Sequence, residues 1–192
     1  MVYLVLGLLV FLGVHSVRIV AEGWRARVVA RIGANAWKGL YSIASLIGLV
    51  LIVWGFGQAR MQPVQLWAPP PGMRHLASLL TWFAFVLLTA AYVPGNGVKA
   101  RVHHPMVLGV KVWALAHLLA NGNLAHMVLF GSFLAWAVWN FIASRRRDRA
   151  QGVQYPRGTG GATAVTIVVG LGAWLIFALV LHGWLIGVRP FG

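Results

Sequence analysis

Six long apolar segments are the feature of this sequence that most constrains its fold. A helix rises 1.5 Å per residue, so roughly 20 apolar residues cross the ~30 Å hydrocarbon core of a bilayer. The chain is 60% hydrophobic and 9% charged, whereas a soluble domain carries about a quarter charged residues. The sequence therefore predicts an all-α, polytopic membrane helix bundle forming a single domain over residues 1–192. The predicted helices are Val2–Val17, Lys38–Phe56, Met73–Val93, Pro105–Ala120, Leu124–Ala143 and Thr163–Gly187.

Two of these segments allow a different interpretation. Pro105–Ala120 is the shortest, and five helices would cross the membrane if it is re-entrant. The first segment is apolar like a signal peptide, but it lacks a basic region before it and a small-residue cleavage site after it. We therefore expect it to be a membrane helix that is retained.

The basic residues predict the orientation of the bundle. Sixteen Lys and Arg face only two acids, Glu22 and Asp148, giving a net charge of +14. The loops after the first, third and fifth segments hold five, three and five of these cations. Because Lys and Arg are retained on the cytoplasmic side, both termini are expected to be periplasmic in a bacterial inner membrane. The charges alternate with apolar blocks, which indicates membrane lipids rather than nucleic acid as their partners.

The composition also excludes several kinds of chemistry. The chain has no cysteine, so a disulfide, an iron–sulfur cluster or a thiolate site cannot form within it. Two acids in predicted loops cannot support carboxylate-driven hydrolysis or a proton relay through Asp and Glu. Histidines are therefore the main ionisable groups at membrane depth, where such groups are costly and suggest function.

His15 and His117 stand out because each lies inside an apolar run beside small residues. Two neutral imidazoles on facing helices are a natural axial pair for haem iron. A buried histidine is more commonly bonded to a backbone carbonyl or a hydroxyl, and on the residues alone that is the first explanation.

Three further residues are candidates for binding the same cofactor. Arg18 follows His15 by three residues, so both lie on one helix face, where Arg18 could hold a haem propionate or simply set topology. If Lys111 reaches the same interface, His117 lies about 9 Å deeper, although this buries the turn that follows the helix. His104, just before Pro105, could bind an anion or cap the helix start.

Several motifs give the chain a recognisable pattern. It resembles the NnrU family over essentially its whole length, in FLGVHSVR (11–18), WKGLYS (37–42), YVPGN (92–96), HPMVLG (104–109) and WALAHLLANG (113–122). The resemblance implies a part in bacterial denitrification, with respiratory nitrite and nitric oxide reductases as expected partners.

The resemblance further implies kinship with 15-cis-ζ-carotene isomerase of plants, a membrane haem b enzyme. Its proposed haem-ligating histidines correspond to His15 and His117, which implies a redox-gated cis–trans isomerase acting on a polyene or another apolar molecule. One departure matters: that enzyme has a cysteine three residues before the second histidine, and Ala114 stands there in this chain. A thiolate ligand is therefore not available.

Two alternatives remain open. The run from His104 to Gly109 is similar to an element that binds S-adenosylmethionine in small membrane methyltransferases, which would place Arg101 and His104 near the cofactor. Val107 stands where that element has an aromatic residue, and no later acidic pair is present. The other alternative is a non-catalytic membrane assembly protein. The sequence specifies neither the substrate nor the oligomeric state.

Overall fold

The computed structural model describes residues 1–191, and within them every regular element is a helix. The elements are α1 (Val2–Val20), α2 (Glu22–Ile32), α3 (Ala34–Met61), α4 (Met73–Tyr92), α5 (Gly97–Val102), α6 (Pro105–Ala120), α7 (Leu124–Ala150) and α8 (Gly160–Ile176). A π-helix, Phe177–Leu181, and a short α9, His182–Ile186, continue α8. The prediction of an all-α polytopic bundle is confirmed.

Five helical segments of this described part are long and apolar enough to cross a membrane: α1, α3, α4, α7 and the continuous stretch Gly160–Ile186. The sixth apolar helix, α6, has only 16 residues, which matches the expectation that Pro105–Ala120 is the shortest segment. The protein is therefore a multi-pass membrane protein.

The helices extend beyond the predicted apolar segments. α1 runs on through Arg18 to Val20, beyond the predicted end at Val17, and α3 begins at Ala34, before the predicted start at Lys38. The loop predicted between them contains α2, whose polar sequence gave no membrane signal and which has no buried residue. Polar residues continue a helix readily once it has left the hydrocarbon, because a helix satisfies its own backbone hydrogen bonds.

By their contacts the residues form two compact units. Unit 1 comprises Met1–Trp67 and Gly122–Trp136, and unit 2 comprises Ala68–Asn121 and the chain from Ala137. The prediction of one domain stays a prediction, and each unit is described by itself.

Glycines bring α1 and α3 together in unit 1. A Cβ atom built on Gly7 would lie 2.6 Å from the Ile52 nitrogen, and one on Gly48 would lie 2.8 Å from the Phe11 nitrogen. Such close approach is available only to residues without a side chain, and it is a common way to pack helices in lipid. Leu4 is fully buried at this contact.

In unit 2, α4 packs against both α6 and α8. A Cβ atom on Gly109 of α6 would lie 3.1 Å from the Ala84 oxygen, and one on Gly170 of α8 would lie 2.8 Å from the Val86 Cα atom. The turn after α4 is organised by Asn96, which is 2% exposed. Its side chain donates to the carbonyls of Ala90 and Val93 and accepts from the Lys99 nitrogen, so it caps α5.

Candidate functional site

His15 lies on α1 in unit 1, and its ring is fixed by a backbone hydrogen bond. Its Nδ1 is 2.7 Å from the carbonyl oxygen of Phe11, one turn earlier. Because a carbonyl can only accept, Nδ1 carries the hydrogen and donates it. In a neutral imidazole the lone pair is then on Nε2, the nitrogen that remains able to bind a metal.

Aromatic side chains surround the His15 ring within unit 1. The ring centroid of Phe11 stacks 4.2 Å from it, that of Tyr41 lies at 5.2 Å, and Trp136 presents an edge at 6.0 Å. The Nε1 atom of Trp136 is buried and has no hydrogen-bond partner in the described part of the chain. The His15 ring therefore lies against aromatic side chains of unit 1, and the Trp136 N–H is enclosed within the described residues.

His117 lies on α6 in unit 2 and repeats the geometry of His15. Its Nδ1 is 2.8 Å from the carbonyl oxygen of Trp113, again one turn earlier. Asn121 donates to the carbonyl oxygen of His117 at 2.9 Å, which holds the end of the helix. Ala114 and Ala116 beside it are fully buried. The same argument from carbonyl chemistry places the His117 lone pair on Nε2.

These contacts bear on both explanations of the two histidines. The backbone bond expected of an ordinary buried histidine is present at each of them, and it accounts for one nitrogen per ring. Metal-ligating histidines show the same bond, because it fixes the tautomer and the ring orientation. No group of three or more His, Cys, Asp or Glu that could hold a metal occurs among residues 1–191, but axial haem ligation requires only two. The haem site stays a prediction.

Arg18 and Lys111, the cations expected near the cofactor, each contact the protein itself. Arg18 Nε lies 3.7 Å from an oxygen of Glu22, and its side chain is 61% exposed. Lys111 Nζ lies 5.5 Å from the ring centroid of Phe141. Neither contact tests a role toward a cofactor, so both roles stay predictions.

His104 belongs to a polar cluster in unit 2 that joins the start of α6 to the end of α7. Its Nε2 lies 2.7 Å from Oδ2 of Asp148, and the Tyr155 hydroxyl donates to the same oxygen at 2.8 Å. The ring of His103 stacks on Tyr155 at 4.1 Å, with 4° between the planes. Pro105 begins α6 directly after His104, as predicted, but the His104 side chain does not cap the helix.

Sequence reasoning missed Asp148 and Tyr155 as members of this cluster. Asp148 was placed only in a loop, and 44 residues separate it from His104. The one available signal was that His104 and Asp148 both lie near ends of apolar segments that are predicted to face the same side of the membrane. Burial, together with the hydrogen bond to Asp148 and the charge of that residue, raises the pKa of Tyr155 to about 12.

The cluster bears on the methyltransferase alternative. Because Nε2 of His104 is bonded to Asp148, that nitrogen is already used within the protein. Arg101, the other residue expected near the cofactor, lies exposed on the six-residue helix α5. No described contact of these residues favours a nucleoside cofactor.

Comparisons with known proteins add one result to this geometry. The family described as NnrU protein matches residues 3–190, nearly the whole chain. No curated protein and no solved structure matches. The chain therefore belongs to the NnrU family.

Proposed function

We propose that this protein binds haem b, with His15 and His117 as the axial ligands. The supporting observation is the matched pair of backbone hydrogen bonds, 2.7 Å at His15 and 2.8 Å at His117, which fix both imidazoles in the tautomer that ligates through Nε2. Each ring lies on a helix of an apolar sequence, where water does not compete for the metal.

The protein residues have defined tasks in this proposal. The Phe11 and Trp113 carbonyls orient the rings and raise their basicity. The aromatic side chains around His15 exclude water from its ring. Ala114 provides no sulfur, so ligation is by nitrogen alone.

Bound haem supplies a one-electron redox centre whose potential depends on ligation and burial. Redox-gated cis–trans isomerisation of a polyene from the bilayer is the activity most compatible with the site, because double-bond isomerisation needs no carboxylate acid or base. The two acids of the chain are engaged elsewhere, Glu22 with Arg18 and Asp148 with His104. An accessory role in nitrite and nitric oxide respiration, in the bacterial inner membrane with both termini periplasmic, fits the same haem site.

The test is the absorption spectrum of full-length protein purified from haem-sufficient cells. We expect a low-spin Soret band in the wild type, and its loss or conversion to a five-coordinate spectrum in His15→Ala and in His117→Ala. His182→Ala is a matched control, because His182 also bonds a backbone carbonyl, that of Val188, at 2.7 Å but is an exposed contact. Its spectrum should not change.

Either of two results contradicts the proposal: absence of a Soret band in the wild type, or the same spectrum in all three variants. Calorimetry with S-adenosylmethionine examines the methyltransferase alternative on the same preparation. Co-purification with a reductase in the absence of any cofactor would favour the assembly role.

A further inference from the structure

The helix α2, Glu22–Ile32, lies between two membrane-crossing helices of unit 1 and is tied closely to both. Ala21 alone separates it from α1, and Gly33 alone separates it from α3. Ala21 is not helical, with φ −140° and ψ 39°, so α2 turns away from the axis of α1. α2 also contacts both neighbouring helices. Both of its ends are therefore held near the same end of the α1–α3 pair.

The level of α2 relative to a bilayer follows from the helices on either side of it. Gly7 of α1 meets Ile52 of α3. Later in α1, Phe11 meets Gly48, which comes earlier in α3, so the two helices are antiparallel. α1 has 19 residues, which span about 28 Å and match a hydrocarbon core of about 30 Å. The end of α1 thus reaches the boundary between hydrocarbon and head groups, and α2 begins there.

Three apolar side chains of α2 form a stripe along one face of the helix. Trp24, Val28 and Ile32 are spaced i, i+4 and i+8, which places them within about 80° of one another around the helix. The Trp24 ring meets Trp37 of α3 edge to face at 5.8 Å. Trp24 nevertheless stays 49% exposed, and Ile32 is 42% exposed. The described part of the chain therefore leaves much of this stripe uncovered.

Arginines flank the stripe, and two of them have no carboxylate to pair with. Arg27 and Arg31 lie along one edge, each one residue before a member of the stripe, and both are exposed. The acid of α2, Glu22, is shared by Arg18 and Arg25. The other acid of the chain is engaged in unit 2. Among residues 1–191 no carboxylate pairs with Arg27 or Arg31, so an anion outside the protein has to balance them.

We propose that α2 binds the surface of an anionic membrane, with the stripe inserted between the lipid head groups and Arg27 and Arg31 on lipid phosphates. A helix with an apolar face flanked by arginines lies in the plane of the interface in this way, and its binding strengthens with anionic lipid. A lipid surface is favoured over a partner protein because α2 begins where α1 leaves the hydrocarbon, among the head groups. The inference goes beyond the proposed haem site and does not depend on it.

The experiment reports the environment of single positions on α2. The chain has no cysteine, so Val28→Cys and Ala30→Cys each provide one unique thiol for a nitroxide spin label. Ala30 is the matched control, because it is exposed and lies about 160° around the helix from Val28. Full-length protein is placed in phosphatidylcholine nanodiscs, and relaxation of the label by oxygen is compared with relaxation by a water-soluble nickel chelate. We expect the oxygen-to-nickel ratio to be several-fold higher at position 28 than at position 30.

A second comparison tests the arginines, in nanodiscs that contain equal parts of phosphatidylcholine and phosphatidylglycerol. The ratio at position 28 should rise in these nanodiscs, because each arginine near an anionic surface favours contact with it about fivefold. Arg27→Gln combined with Arg31→Gln should remove this rise. Arg146→Gln combined with Arg149→Gln is the matched control, because it removes the same charge from exposed positions of α7, and the rise should remain.

Four results overturn the proposal: equal ratios at positions 28 and 30, no rise with phosphatidylglycerol, a rise that persists without Arg27 and Arg31, or a label at position 28 that neither oxygen nor the nickel chelate reaches. The last result would indicate that protein, either a second copy or a partner, covers α2. Circular dichroism checks the folding of each variant, and Ile32→Cys gives a second position on the stripe if Val28→Cys does not fold.

Discussion

The α1–α3 contact at Gly48 allows a prediction of both sign and size. A methyl group added in Gly48→Ala would lie 2.8 Å from the Phe11 nitrogen and 2.9 Å from the Phe11 Cβ atom. Real Cβ atoms essentially never approach other atoms so closely, and the neighbour is largely backbone. The two helices must therefore move apart, or α1 must shift along α3.

The magnitude follows from two opposing effects. Replacing Gly by Ala within a helix stabilises it by about 0.5–1 kcal/mol when space is free. Overpacking of a tight contact costs about 1–3 kcal/mol. We expect Gly48→Ala to lower the free energy of unfolding by about 1–2 kcal/mol. Gly57→Ala, on the same helix with nothing within 4 Å of its Cβ position, should leave stability unchanged or raise it by about 0.5 kcal/mol.

The assay is equilibrium unfolding of the full-length chain in detergent micelles, with wild type and both variants measured side by side. Opposite signs for the two substitutions are the expected outcome. If Gly48→Ala and Gly57→Ala have the same stability, the close helix approach at Gly48 is refuted. The variant also matters for the site, because Phe11 provides the carbonyl that orients His15.

Two further predictions concern unit 2. Asn96→Ala removes three hydrogen bonds to backbone groups at a position that is 2% exposed, so unfolding should become easier by about 2–3 kcal/mol. Asn96→Asp keeps the acceptor for Lys99 but sets a buried carboxylate oxygen against the Ala90 and Val93 carbonyls, so it should destabilise the protein at least as much, and a clearly smaller loss would contradict the role of the two donated bonds. Asp148→Asn removes a negative charge beside Tyr155 and should lower its pKa from about 12 toward 10.0, read as phenolate absorbance against Tyr155→Phe. The raised pKa means that the folded state holds the Tyr155 proton more tightly than the unfolded state does. The protonated phenol therefore stabilises the fold fully below pH 10, and this stabilisation is lost as the pH rises to about 12. A Tyr155 titration that does not shift in Asp148→Asn would argue against the contact.

Hydropathy predicted the membrane helices because lipid requires each of them to be apolar over the length that crosses the bilayer. The starts of α4, α6 and α7 coincide with the predicted starts, since Gly72, His104 and Asn123 introduce turns or caps there. The ends were less predictable. α7 runs on to Ala150 through four arginines, because charge stops a hydrophobic pattern without stopping a helix.

The candidate site was predictable only in part, because hydropathy determines which helix a residue lies on but not what its side chain contacts. The positions of His15 and His117 on apolar helices follow from the sequence. Their bonds to the preceding turn depend on side-chain rotamers, which hydropathy does not determine. The pairing of His104 with Asp148 depends on which helix ends meet, and that is a tertiary property.

Both carboxylates of this protein are engaged by its own side chains, Glu22 by Arg18 and Arg25 and Asp148 by His104 and Tyr155. The two carboxylates offset only two of the sixteen Lys and Arg, so a net charge of +14 remains. Anions from outside the polypeptide have to balance it. Anionic lipid head groups can supply these charges in a membrane, and a zwitterionic detergent would leave the surplus to soluble salt. The choice of lipid, detergent and salt during purification therefore determines which anions balance the charge of this protein.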